Sequence, residues 1–125
     1  MKLINNIIVN SIEALKNLSG KELDVKTSFK IAKNIKVIDE ISNIFVDEKR
    51  KLVSKYGTKD EEGNLKVDDH GVAEIDKDNL EEWNRSYADL LEIENDIGIE
   101  KIKLSDLDIK VSPQELLAVE YMIEE

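Results

Sequence analysis

The stretch from Val25 to Tyr56 restricts the fold of this chain more than any other, because it contains neither glycine nor proline. Eight of its residues follow one another at alternating intervals of four and three positions. This spacing places them along one face of a helix and is typical of a heptad seam. The positions of this series are Ile31, Ile35, Ile38, Ser42, Phe45, Lys49, Leu52 and Tyr56. Globular helices average about 11–12 residues, so a helix this long needs a partner along its length. Gly57 is well placed to end it.

A second series with the same spacing supplies that partner. Its positions are Leu80, Trp83, Tyr87, Leu90, Glu94 and Ile97. Asp78 precedes Glu81 by three residues, as in a capping box, and Gly98 closes the segment. We therefore predict a second helix over 80–97 that packs antiparallel to the first, with a crossing angle of about +20°. On this seam Tyr56, Trp83 and Tyr87 are favoured as core residues over an exposed binding stripe.

The chain ends predict smaller elements. Lys2–Ile4 is a candidate strand, a helix follows from about Ile7 to Leu18, and Asp24 is a candidate cap for the long helix. We expect the first strand to pair with 101–104, and the alternation at Leu107, Ile109 and Val111 predicts another strand. Ser112 to Glu115 is a capping box with Pro113 at the first helical position.

These elements together predict a mainly α fold with small β elements, in the α+β class. We expect one domain over 1–125, in which a long antiparallel helical hairpin over 24–97 carries a β-hairpin at its tip. A short sheet and terminal helices, from 1–20 and 99–125, form its base. This architecture follows from local periodicity and from the short connection between the two helices.

The tip lies between Lys55 and Trp83 and is rich in acids and turn residues. Two β-prone runs, 65–67 and 72–75, flank Asp68–Gly71, which predicts a small β-hairpin or a disordered loop. A calcium loop starting at Asp60 would need glycine at its sixth position and glutamate at its twelfth, where Leu65 and Gly71 stand. His70 has no second histidine and no cysteine to complete a zinc site, so we expect no metal.

The net charge of −10 argues against nucleic acid as a direct partner, because phosphate binding needs clustered Lys and Arg. Residues 1–59 carry 12 Lys or Arg against 7 Asp or Glu, a net of +5, whereas residues 60–100 carry 3 against 15, a net of −12. This asymmetry predicts ion pairs that select the antiparallel register of the hairpin. The expected pairs join Lys26, Lys30, Lys33 and Lys36 to Glu92, Glu94 and Asp96.

Several classes of function lack their usual signals. The chain has no cysteine, no nucleophile elbow and no glycine-rich phosphate loop, so we expect no enzyme activity, no catalytic residue and no cofactor. No apolar run approaches the roughly 20 residues of a membrane span. We expect a soluble intracellular protein without membrane contact.

Two resemblances add to this interpretation. The helix, β-hairpin, helix order over 24–97 resembles the architecture of a prefoldin subunit. Nearly the whole chain resembles small uncharacterised proteins encoded by phages and prophages of low-GC Gram-positive bacteria. The segments that carry this second resemblance are "KRKLVSKYGTKDEEGNLKV", "WNRSYADLLEIE" and "IEKIKLSDLDIKVSPQELLAVEYMIEE". Neither resemblance carries over a catalytic or binding residue.

The phage resemblance implies a protein partner, either a phage structural protein or a host defence complex. We expect a non-enzymatic interaction module with an accessory, assembly or chaperone-like role in the host bacterial cytoplasm or on the virion. The alternative is an anti-CRISPR type of inhibitor whose acidic residues over 60–100 imitate phosphates and bind a basic nuclease surface. The candidate contact residues are Glu81, Glu82, Asp89, Glu92, Asp96, Asp68 and Asp69. Apolar residues beside the long helix's seam, among them Ile44 and Val46, also motivate a homodimer hypothesis.

Overall fold

A computed structural model describes all residues of the chain, 1–125. The helices are α1 (Asn5–Ser19), α2 (Val25–Tyr56), α3 (Leu80–Leu91) and α4 (Pro113–Ala118). The strands are β1 (Lys2–Ile4), β2 (Glu94–Asp96), β3 (Ile102–Lys103) and β4 (Ile123–Glu124). Helices account for 59% of the residues, which confirms the predicted class of mainly α with small β elements. None of the helices combines the length and the hydrophobicity that a bilayer crossing requires.

The residues divide into two compact units, which are described separately. The terminal unit comprises residues 1–42 and 94–125, and the central unit comprises residues 43–93. Helix α2 contributes its first part to the terminal unit and its second part to the central unit. The expected single domain over 1–125 stays a prediction.

Helix α2 has the bounds that the sequence predicts. At its start the carboxylate of Asp24 accepts a hydrogen bond from the main-chain N–H of Thr27 at 2.8 Å. Hydrogen bonds from Thr27 hold the pKa of the Asp24 carboxyl below its ordinary value, because they favour the ionised form. At the other end the N–H of Gly57 donates to the carbonyl of Val53 at 2.7 Å. Neither glycine nor proline interrupts the helix between these two ends, which is why it runs so far.

The terminal unit has its own apolar core. Helix α1 buries one face, and the C-terminal segment brings the fully enclosed side chains of Val119 and Met122 against the same core. The buried members are Leu3, Ile8, Ala14, Leu15, Leu18, Ile31, Ile38, Ile102, Leu107, Val119 and Met122. The hydroxyls of Ser11 and Tyr121 lie 2.9 Å apart, which links α1 to the C-terminal segment.

Two small sheets complete the terminal unit, and their pairing differs from the expectation. Strand β1 pairs antiparallel with β2, with Leu3 opposite Asn95, and not with 101–104. Strand β3 pairs parallel with β4 instead, with Ile102 opposite Ile123. The alternating segment 107–111 forms no strand, and the 3-10 turn over Leu104–Asp106 separates it from β3.

Helix α3 ends at Leu91, so the prediction of a helix to residue 97 is wrong. The carboxyl-terminal part of the predicted helix is strand β2, whose main chain is paired with the N-terminus. The side-chain amide of Asn95 adds two further hydrogen bonds, to the carbonyl of Leu3 at 3.1 Å and to Oδ1 of Asn5 at 2.8 Å. Tertiary pairing therefore overrides the local helical pattern of this segment.

The expected charge pairing of the long helix is also corrected. Lys33 pairs with Glu100 at 3.4 Å, and Nζ of Lys30 donates to the carbonyl of Lys101 at 3.3 Å. No ion pair joins α2 to Glu92, Glu94 or Asp96. The reason is that α3 ends before the residues that were expected to lie beside the lysines.

The predicted cap of the last helix is confirmed. The hydroxyl of Ser112 accepts a hydrogen bond from the main-chain N–H of Glu115 at 3.1 Å, and Pro113 occupies the first helical position. Helix α4 is short, and a 3-10 turn over Glu120–Met122 leads from it into β4. This turn places Met122 in the core.

Candidate functional site

The central unit holds the end of α2 and the whole of α3 in antiparallel contact. The rings of Phe45 and Tyr87 lie 6.3 Å apart, and Trp83 stacks on Tyr87 with 5.4 Å between ring centroids and 9° between planes. At the other end the carbonyl of Tyr56 accepts a hydrogen bond from the side-chain amide of Asn79 at 3.4 Å. Because residue 45 lies beside residue 87 and residue 56 beside residue 79, the two helices run in opposite directions.

The connection between these helices is built from three similar turns spaced eight residues apart. Asp60, Asp68 and Asp76 each begin a turn in which the aspartate carbonyl accepts from the N–H three residues later, at 2.9–3.0 Å. The carboxylate of Asp60 also accepts from the N–H groups of residues 62 and 64. Asp68 does the same with residues 70 and 72, and Asp76 with residue 78. We call residues 58–79 the turn repeat.

Three main-chain hydrogen bonds close the turn repeat on itself. The N–H of Lys66 donates to the carbonyl of Thr58, the N–H of Glu74 to Lys66, and the N–H of Thr58 to Glu74, at 2.8–2.9 Å. These three residues are also eight apart, so the segment has pseudo-threefold character. The predicted β-hairpin is present as the pairing of Val67 with Ala73, and a third segment, starting at Gly57, joins it.

The sequence does contain a signal for the turn repeat, although neither a heptad nor a strand pattern detects it. The pattern is an aspartate followed three residues later by glycine or asparagine, and it occurs at Asp60, Asp68 and Asp76. Gly63 and Gly71 have φ values of 85° and 77°, a backbone conformation that glycine adopts without strain. In the third copy Asn79 replaces glycine because the chain there enters α3.

A groove of about 670 Å³ lies between α2, the turn repeat and the start of α3. Its apolar lining consists of Val46, Val53, Leu65, Val72, Ala73, Ile75 and Trp83, and its other lining residues are Lys49, Arg50, Ser54 and Gly71. Val46 is 39% exposed and Val72 is 61% exposed, so both leave apolar surface in water. The lining contains no carboxylate, histidine or cysteine.

Four of the predicted contact residues are exposed, three of them on α3 and one directly after its last residue. They are Glu81, Glu82, Asp89 and Glu92. Arg85 pairs with Glu81 at 3.7 Å, four residues away on the same helix, and this is the only ion pair within α3. An exposed pair of this kind contributes at most about 1 kcal/mol. The α3 carboxylates are therefore available to a partner.

The remaining three predicted residues are not on α3. Asp68 and Asp69 belong to the second turn of the turn repeat, where the Asp68 carboxylate is engaged by main-chain N–H groups while Asp69 is exposed. Asp96 lies on β2 in the terminal unit, 3.4 Å from the N-terminal ammonium of Met1. Asp96 is therefore not on a helix as predicted, because the predicted helix over 80–97 ends at Leu91.

His70 is exposed at the second turn, and its main-chain N–H donates to Asp68. No group of three or more His, Asp or Glu side chains is arranged to hold a metal ion. The Asp68 carboxylate accepts hydrogen bonds from the main-chain N–H groups of His70 and Val72.

Comparison with known proteins identifies no relative of the chain. No protein-family model, no curated protein and no solved structure matches it. The resemblances to phage proteins and to prefoldin subunits therefore stay predictions.

Proposed function

We propose that this chain is a non-enzymatic protein–protein interaction module, encoded by a phage, that binds a protein partner through the groove of the central unit. The observation that carries the proposal is the pair of exposed valines, Val46 of α2 and Val72 of the turn repeat, that line one largely apolar groove. Burying apolar surface of this kind stabilises a complex by about 25 cal/mol per Å² before the cost of ordering is subtracted.

The chemistry of the lining supports binding rather than catalysis. A general acid or base must lie within hydrogen-bond reach of the substrate, and nucleophiles need an adjacent base. The polar side chains of the groove are one hydroxyl and two cations, from Ser54, Lys49 and Arg50. Trp83 and Arg50 are instead residue types that dominate the energetics of protein interfaces.

The resemblance to phage proteins supports two classes of partner, a phage structural protein and a host defence complex. A phage structural protein would give the chain an accessory, assembly or chaperone-like role in the host cytoplasm or on the virion. The exposed apolar groove favours this class, because assembly factors and chaperones recognise apolar segments that are not yet buried in their final structure.

Site-specific photo-crosslinking tests the proposal. A benzophenone amino acid replaces Val72 in one variant and Val67 in a matched control, because these residues flank the same turn with 61% and 58% exposure and only Val72 lines the groove. After irradiation in phage-infected host cells, we expect one defined protein adduct from position 72 and little or none from position 67. Equal labelling from both positions, or no adduct from either, would contradict the proposal.

A second candidate function rests on the acidic face of α3. Glu81, Glu82, Asp89 and Glu92 are exposed and only Glu81 has an ion-pair partner within the helix. Together with Asp69, these carboxylates could occupy a basic nucleic-acid channel of a host defence nuclease. The test is a cleavage assay with a purified nuclease–guide complex, in which inhibition by the protein should disappear when Glu82 and Glu92 are both replaced by lysine.

A matched variant tests whether inhibition depends on the carboxylates at positions 82 and 92 or only on the net charge of the protein. Glu13→Lys with Glu120→Lys reverses the same amount of charge at exposed positions of the terminal unit. Inhibition that is lost equally in both double variants reports net charge rather than a binding face. Inhibition that is absent in the unaltered protein removes the second candidate and leaves the groove as the functional surface.

A further inference from the structure

The groove of the central unit has a charge opposite to that of the unit around it. Residues 43–93 carry 8 Lys or Arg and 14 Asp or Glu, a net of −6. The groove itself is lined by Lys49 and Arg50 and by no acidic residue. Two concavities of the terminal unit differ in this respect, because Glu13 and Glu115 line one and Glu120 and Glu125 line the other.

The two cations are available to a ligand. Arg50 contacts Asp47 at 3.7 Å, but both side chains are largely exposed, at 78% and 69%, so the pair is weak. Nζ of Lys49 lies 5.3 Å from the centroid of the Tyr87 ring, which holds the ammonium beside the aromatic stack without neutralising it. An anionic group that enters the groove would therefore meet positive charge next to an apolar wall.

The walls of the groove favour a polypeptide over a small molecule. Small-molecule sites bury about 70–90% of their ligand, whereas Val72 and Val46 are themselves 61% and 39% exposed. A cleft that open encloses the side chains of a segment lying along it but leaves a compact ligand largely in water. Its volume of about 670 Å³ has room for several side chains.

We infer that the groove binds a short acidic and apolar peptide segment, with its apolar side chains between Val46 and Val72 and its carboxylates at Lys49 and Arg50. This inference rests on the proposed function and specifies the chemistry of the partner. Apolar burial supplies most of the affinity, and the cations supply selectivity against basic segments.

Trp83 provides a direct readout, because it lines the groove and is the only tryptophan of the chain. The probe is an acetylated and amidated nonapeptide in which two leucines alternate with three glutamates between Gly–Ser ends. One analogue replaces the glutamates with lysines, and another replaces the leucines with serines. Titration of the full chain should change Trp83 fluorescence with the glutamate–leucine peptide, which we expect to bind at least tenfold more tightly than either analogue.

Paired variants assign that binding to the groove. Val72→Asp should weaken binding of the glutamate–leucine peptide at least tenfold by calorimetry, whereas Val67→Asp, on the same turn but outside the groove, should change it less than twofold. Lys49→Glu with Arg50→Glu should reverse the preference toward the lysine peptide. Lys51→Glu with Lys55→Glu, on the same helix, should leave the preference unchanged. Circular dichroism verifies that each variant is folded.

Four outcomes would overturn the inference. They are equal binding of the acidic and basic peptides, equal loss in the two valine variants, binding of dodecanoate but of no peptide, and a dimer that Val72→Asp abolishes and Val67→Asp does not. The third assigns the groove to a fatty acid and the fourth to a second copy of the chain. If peptides fail while crosslinking from position 72 still captures one protein, the proposed function stands and only the partner's chemistry is wrong.

Discussion

The side chain of Asn34 is fully buried in the terminal unit, where it is hydrogen-bonded to the main chain of Glu100. Its amide donates to the carbonyl of Glu100 at 3.0 Å and its carbonyl oxygen accepts from the N–H of the same residue at 2.8 Å. A buried polar side chain of this kind is tolerated only because both of its groups are hydrogen-bonded. Asn34 therefore fixes the chain between β2 and β3 to α2.

Replacing Asn34 with leucine should lower the free energy of unfolding by about 2–4 kcal/mol, because it leaves both main-chain groups of Glu100 without their partner. Urea denaturation measures the loss. Asn10→Ala is the control, since the Asn10 amide bonds only the exposed Asn6 side chain, and its effect should stay within about 0.5 kcal/mol. Similar losses in the two variants would contradict the role given to Asn34.

Tyr121 gives the terminal unit a sensitivity to alkaline pH. Burial raises the pKa of its phenol above the ordinary value of 10.0, and the hydrogen bond with Ser11 offsets this only in part. The folded state therefore favours the neutral phenol. Its stabilising contribution is complete below the unfolded pKa and is lost as the pH rises from about 10 through the folded pKa.

Tyr121→Phe tests this dependence. The variant should be less stable than the unaltered protein at pH 8, because the bond to Ser11 is gone, by about 1 kcal/mol. The difference should shrink above pH 10, because only the unaltered protein has a phenol at position 121, and ionisation of that phenol in the unfolded state lowers the free energy of unfolding. Unfolding free energies measured at several pH values decide the matter, and a difference that stays constant from pH 8 to pH 11 would rule the explanation out.

Among the elements, the turn repeat depends on two glycines with left-handed backbone. An added Cβ at Gly63 or Gly71 meets no atom within 4 Å, so the cost of a side chain there is conformational alone. Gly63→Ala and Gly71→Ala should each destabilise the central unit by about 1 kcal/mol, and by similar amounts, because the two turns have the same hydrogen bonds. Gly98→Ala, also in open space but without positive φ, should cost nothing measurable.

Hydrogen exchange provides the local measurement for these variants. Both glycine substitutions should speed exchange of the three amides that close the ring, those of Thr58, Lys66 and Glu74. Faster exchange confined to the substituted turn would show that the three turns fold independently, contrary to the closed ring. Unchanged exchange in Gly63→Ala alone would show that the first turn does not belong to it.

Sequence patterns predict the elements that depend on neighbouring residues. The bounds of α2, the Asp24 and Ser112 caps and the small hairpin all follow from spacing and capping chemistry. The end of α3 does not, because no glycine or proline lies between Leu80 and Gly98 and only the distant strand β1 makes 94–96 extended. The outward position of Glu82 and Glu92 was predictable from the helical period.

The groove could not be predicted from local sequence patterns either, because it also depends on contacts between residues that are distant in the chain. Trp83 and Val46 lie on or beside the helical seams, but they line one groove with Val72 only when the turn repeat folds back toward α2. This folding of the turn repeat depends on the three main-chain hydrogen bonds among Thr58, Lys66 and Glu74. Neither a heptad nor a strand pattern detects a spacing of eight residues. The repeated aspartates were instead weighed as calcium ligands.

At the scale of the whole molecule, the two ends of the chain meet in one core. The N-terminal ammonium donates to the carbonyl of Ile97 at 3.1 Å, and Val119 and Met122 fill the same unit as α1. Residues more than a hundred positions apart must therefore come together before the terminal unit is stable. The central unit is formed by a single continuous segment.

Deleting residues 112–125 should accordingly unfold the terminal unit. Burial of one Val or Met side chain contributes about 1.5–3 kcal/mol, so losing Val119 and Met122 removes much of the 5–15 kcal/mol that stabilises a typical domain. The stack of Trp83 on Tyr87 lies in the central unit and should persist, as read from near-ultraviolet circular dichroism. Deleting Glu125 alone, which is exposed, should leave both units intact.

The open space around Gly63 and Gly71 makes these two corners natural attachment points for foreign sequence. A fluorophore or an epitope grafted at Gly63 would report on the protein inside a cell without occupying the groove beside Trp83. The same graft at Gly71, which lines that groove, would act as a plug. The same tag would thus leave the groove open when attached at Gly63 and block it when attached at Gly71.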